Sequence, residues 1–146
     1  MIEPWRRLAL WLLLVGIAGV GLELVLLEHY EDPWQWAPLA LLGVGLVAGG
    51  ALVARPARGA VQALRALMAA YLVTGGVGVY FHLKANLEFE RELRPSMAGT
   101  ELLIETLRGA MPALAPGAMA QLGLLGLLVT FRHPSLSHHR EPDPAR

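Results

Sequence analysis

Glu23, Glu28, His29 and His82 are the side chains in this sequence best suited to hold an ion or move a proton. Carboxylate and imidazole together suit zinc, iron, manganese or copper, and two carboxylates with histidine suit a di-metal centre. Glu23 stands inside an apolar run. An ionisable group within a membrane span is costly there, so it is expected to face the bundle interior and to have partners. Glu28 and His29 are adjacent and point about 100° apart in an unbroken helix, so they can ligate together only if the helix unwinds between them. Asn86, Glu88, Glu90, Glu101, Glu105 and Gln121 are further ligands, or groups that orient an imidazole. The expected chemistry is a divalent transition metal held in the outer half of a helix bundle, between the first and third helices. It would serve a metal-handling accessory or a metal-dependent enzyme in which the metal acidifies its water and Glu28 acts as base.

The spacings of familiar centres are absent, including Glu-x-x-His, His-x-x-x-His and His-Glu-x-x-His. Two other readings use the same residues. In one, His29 and His82 are axial ligands of a b-type haem. In the other, Glu23 and His82 are only a buried pair that fixes helix register, and the chain is a non-catalytic structural or accessory subunit of a larger membrane complex or homo-oligomer, docking through its glycine faces and its projecting helix.

Helices must position these groups. The 146 residues are 55% hydrophobic and 16% charged, with a mean hydropathy of +0.47. This is too apolar for an ordinary soluble domain and too short for several. Zero net charge points to no nucleic-acid partner, and the lack of cysteine excludes disulfides and thiolate metal sites. The predicted fold is all-α, one bundle of four transmembrane helices over residues 1–131, with spans near 8–27, 37–54, 60–82 and 115–131. The first run is longer than the core of a signal peptide and is expected to stay as an uncleaved span. Trp5, Trp11, Trp34 and Trp36 sit where rings favour the membrane interface.

The third helix should project beyond the membrane. Lys84–Glu88 and Glu90–Arg94 have the four-residue spacing of helical ion pairs, and no breaker occurs before Pro95. Residues 83–94 thus form an extramembrane extension, followed by a short amphipathic helix over 97–110 and, after the fourth span, a disordered tail over 132–146. Glu23 shares a helical face with Gly19 and Gly16, and His82 shares one with Gly78, Gly75 and Tyr71. Glycine stripes let helices approach closely in lipid, and Gly45-x-x-x-Gly49 offers another. Arg6, Arg7, Arg55, Arg58, Arg65, Arg132, Arg140 and Arg146 fall at one end of the spans, against Lys84, Arg91, Arg94 and Arg108 at the other. The positive-inside rule then places both termini in the cytoplasm, with a bacterial inner membrane the expected location.

Overall fold

Long apolar runs broken by Pro33, Pro56, Pro95, Pro112 and Pro116 leave the backbone to satisfy its own hydrogen bonds within each run. The computed structural model describes residues 3–136, and among them there are helices and turns but no strand. Five α-helices follow in order: α1 (Pro4–Leu26), α2 (Trp36–Ala54), α3 (Arg58–Leu93), α4 (Gly99–Arg108) and α5 (Gly117–Thr130). Single 3-10 turns at Pro33–Gln35 and Pro134–Leu136 precede α2 and follow α5. Pro4 opens α1, where a missing N–H costs nothing. Asp32 caps the turn before α2, its own N–H bonded 3.0 Å to the Gln35 side chain.

Three segments are long and apolar enough to cross a membrane: α1, α2 together with the turn before it, and α3. Their outer faces remain apolar, with Val15 68%, Val47 72% and Val73 67% exposed. Helices apolar on all sides belong in a core or in lipid. At 14 residues, α5 is shorter, about 21 Å long. The expected extension of the third helix is present, since α3 runs unbroken for 36 residues. Both charge pairs along it form, Lys84–Glu88 at 3.7 Å and Glu90–Arg94 at 2.6 Å.

The helices form a ring in which α1 packs on α2 and α5, and α3 packs on the same two from the other side. Backbones of α1 and α3 do not approach within 8 Å among the described residues. Leu10, Leu13 and Ile17 of α1, Leu42 and Leu52 of α2, Val61, Leu64, Met68 and Tyr71 of α3, and Met119 and Val129 of α5 fill the centre. The Tyr71 hydroxyl is satisfied by donating to the Leu41 carbonyl at 3.0 Å.

Close approach depends on glycine at a few positions. A Cβ at Gly75 would lie 2.6 Å from the Ala120 backbone nitrogen and 3.0 Å from the Pro116 carbonyl oxygen. Gly78 meets Pro116, and from the α5 side Gly123 meets the backbone of Met68. The glycine stripe of α3 therefore does bring in another helix, but the helix is α5, not α1. Gly45 and Gly49 of α2 likewise receive Tyr71, Ile17 and Leu14.

Two arginines close the far end of the ring. The last carbonyls of a helix have no partner within it and attract cations. The buried Arg6 of α1 donates to the carbonyls of Val129 at 2.9 Å and Phe131 at 2.7 Å, and more weakly to Arg132 at 3.4 Å. Arg65 of α3 donates to Thr130 at 2.5 Å. Glu3 balances Arg6 at 2.7 Å, and the Trp5 ring lies 4.4 Å from its guanidinium carbon. Residues 132–136, expected in the disordered tail, instead fold back here. His133 is buried, and Ser135 donates its hydroxyl to the Pro56 carbonyl at 2.8 Å. Positions 137–146 of the expected tail lie outside the described residues.

Gly75→Ala should lower stability by about 1–3 kcal/mol, because the obstructing atoms are backbone and cannot move aside. Gly19→Ala, with nothing within 4 Å of the added carbon, should leave stability unchanged or raise it by up to about 1 kcal/mol. Unfolding followed by circular dichroism in detergent distinguishes the two.

Candidate functional site

The mouth of the ring opposite the arginines is built by the end of α1, the middle of α3 and the loop leading into α5. Helix α1 ends at Leu26 in a left-handed cap. The His29 N–H reaches back to the Leu24 carbonyl at 2.9 Å, and that of Glu28 to Val25 at 3.1 Å. Between them Glu28 holds φ 53°, a conformation that normally selects glycine. The helix thus unwinds where joint use of Glu28 and His29 requires it to. Glu28 stays exposed and His29 turns half-buried. Burial, and secondarily the nearby His82, hold the His29 imidazole below the usual pKa.

His82 of α3 is half-buried, with Nδ1 3.1 Å from the Pro112 carbonyl. A carbonyl can only accept, so Nδ1 carries a proton, and in the neutral ring Nε2 then keeps its lone pair. One turn further along α3, Asn86 is buried and fully engaged. Its Nδ2 donates to Met111 at 2.7 Å and Thr106 at 3.1 Å, and its Oδ1 accepts from the Met111 N–H at 3.1 Å. A side chain at Gly109 would strike Asn86, its Cβ 2.5 Å from the Asn86 Cγ. Another turn on, Glu90 is buried and paired with Arg94, which also reaches Glu105 of α4 at 3.3 Å. His82, Asn86, Glu90 and Arg94 therefore form one polar spine along α3 that grips α4 and the loop following it.

This arrangement corrects several expectations. Glu23 is exposed, and the contact face of α1 is that of Arg6, Leu10, Leu13 and Ile17. Six residues beyond Ile17, the glutamate points about 120° away from that face. The large apolar side chains, not Gly19, set the face because they fill the ring centre. A cluster between α1 and α3 also fails because the two helices stand on opposite sides of the ring. His29 lies beyond the end of α1, close enough for the charge of His82 to bear on it.

Glu88 is exposed and paired with Lys84, Glu101 is exposed in the first turn of α4, and Gln121 is exposed on α5. Asn86, Glu90 and Glu105 spend their donors and acceptors within the α3–α4 unit. Among the described residues no three His, Cys, Asp or Glu side chains are grouped closely enough to hold a metal ion.

Sequence reasoning missed the arginine cap and the burial of His133. For the spine the signal existed, since residues 82, 86, 90 and 94 are spaced by four. For the cap there was none, because Arg6 lies over 120 residues and Arg65 65 residues from the carbonyls they meet. His133 is 3% exposed, and its Nε2 has no hydrogen-bond partner among the described residues. Burial first, then the charges of Arg6 and Arg65, lower its pKa, with Glu3 opposing. The fold and mouth thus define an all-helical protein with three helices long and apolar enough to cross a membrane. Compared with protein-family models, curated proteins and solved structures, the chain matches none.

Glu28→Gly should raise stability by about 0.5–1 kcal/mol by relieving the left-handed cap, measured by thermal unfolding. A second expectation concerns pH. In the folded chain His133 binds its proton at a lower pH than in the unfolded chain, where it does so near 6.5. Its contribution is therefore complete above that value and is lost as pH falls below it. Unfolding temperature should drop between about pH 7 and pH 5, with a shallower slope in His133→Gln.

Proposed function

We propose that this chain is an integral membrane protein that takes up a divalent transition metal at its outer mouth through the imidazoles of His29 and His82. The observation that carries the reading is the His82 ring, whose Nδ1 is tied to the Pro112 carbonyl so that Nε2 faces away with its lone pair. Metal-binding histidines are commonly oriented in this way. His29, just beyond the unwound end of α1 and within electrostatic range of His82, supplies a second imidazole whose pKa burial, then His82, lowers. Glu28 is the nearest carboxylate in sequence and the natural third donor; water fills the remaining positions. Zinc, iron, manganese and copper all accept such ligands. Glu23 takes no part.

In this reading α1, α2, α3 and α5 all span, as a four-helix bundle. The short α5 crosses where the bilayer thins around it. Arg6, Arg7, Arg55, Arg58, Arg65 and Arg132 lie at the inner end, which puts the described ends of the chain on the cytoplasmic side and the α3–α4 unit outside. A second reading rests on the spine from His82 to Arg94. It makes that unit rigid enough to be the docking part of a structural subunit in a larger membrane complex.

Elemental analysis of protein purified without a histidine tag separates the two. Metal near one equivalent is expected in the parent protein and in Glu23→Gln, with loss in His82→Ala and His29→Ala. Parent protein that takes up none of the four metals when supplied would favour the subunit reading. A Soret band in the same sample would instead turn the two histidines into haem ligands.

A further inference from the structure

At the end opposite the mouth, an open groove of about 460 Å³ lies between α3 and the end of α5. Its walls are Arg65, Leu127, Phe131, Arg132 and Leu136. Two of the five are guanidinium groups, and the other three are apolar. Arg65 uses one N–H on the Thr130 carbonyl, and of its five donors no other makes a hydrogen bond among the described residues. The Arg132 guanidinium lies 5.3 Å from the Phe131 ring centre and makes no ion pair among the described residues. Among the described residues no carboxylate lines the groove, and Glu3, which lies at this end, is engaged by Arg6.

We propose that this groove binds the headgroup of an anionic glycerophospholipid, its phosphate held by Arg65 and Arg132 and its glycerol and first acyl carbons lying against Leu127, Phe131 and Leu136. The inference rests on the membrane reading above and not on the metal. Charge complementarity argues for a phosphate, and arginine forks match its geometry. The apolar wall argues for a lipid over a free anion, because inorganic phosphate has nothing to place against Phe131, which is 57% exposed. Position agrees, since basic pockets between helices at the cytoplasmic face suit such headgroups. A lipid seated here would touch both α3 and α5 and stabilise their junction by binding the folded chain.

The test uses the full chain in detergent, with phosphatidylglycerol, phosphatidylcholine and inorganic phosphate added separately, read by native mass spectrometry and by unfolding temperature. Phosphatidylglycerol should bind in preference to phosphatidylcholine and raise the unfolding temperature. Arg132→Gln should weaken that binding by about fivefold while leaving phosphatidylcholine binding unchanged. Leu136→Glu, which alters no arginine, should weaken it as well. Full retention of the preference in both variants overturns the proposal, as does equal binding of the two lipids by the parent. Stabilisation by inorganic phosphate alone overturns the lipid as occupant. Failure of the chain to insert into phosphatidylcholine vesicles would remove the membrane reading and the proposal together, whereas insertion without a headgroup preference removes the proposal alone.

Discussion

The last carbonyls of α5 must have donors, and the chain supplies them from the two helices that flank it in the ring, α1 and α3. Arg6 comes from the first turn of α1 and Arg65 from the third turn of α3, and they converge on residues 129–132. Hydrogen bonds from charged donors are roughly twice as strong as neutral ones, and buried carbonyls left without partners would be costly. Because these bonds join the beginning and the end of the described chain, they close the ring. The 3-10 turn after α5 then folds back onto this junction and buries His133.

Within the ring, glycine and bulk divide the work. Gly75 and Gly123 let α3 and α5 approach until backbone meets backbone, with Gly78 against the Pro116 ring, and for helices in lipid such packing replaces the hydrophobic effect as the source of association. Leu10, Leu13 and Ile17 occupy the centre and so decide which way α1 faces. That choice turns Glu23 outward. The cost of a carboxylate near an apolar surface is met by position: it is three residues from the end of α1, where its side chain is exposed.

At the mouth, backbone geometry and hydrogen bonding meet in one place. The left-handed residue Glu28 turns the chain at the end of α1, His29 follows within electrostatic range of His82, and the Pro112 carbonyl engages Nδ1 of the latter. Asn86 continues the same grip one turn away, using both ends of its amide on Met111. The loop before α5 is therefore held by side chains of α3, and the polar residues that looked like ligands serve largely as its clamps.

Local properties of the sequence determined a great deal: the apolar runs, the proline boundaries, the unbroken length of α3 and the amphipathic α4 all follow from periodicity and breaker residues. The Glu90–Arg94 pair was equally legible, because four-residue spacing needs no knowledge of any other helix. What periodicity does not carry is which face of one helix meets which neighbour. Placing α1 across the ring from α3, turning Glu23 outward, and bringing Arg6 to the carbonyls of α5 were decided by packing volume and by unsatisfied backbone groups at the far end of the chain. These are properties of the assembled ring and have no local signature in the residues themselves.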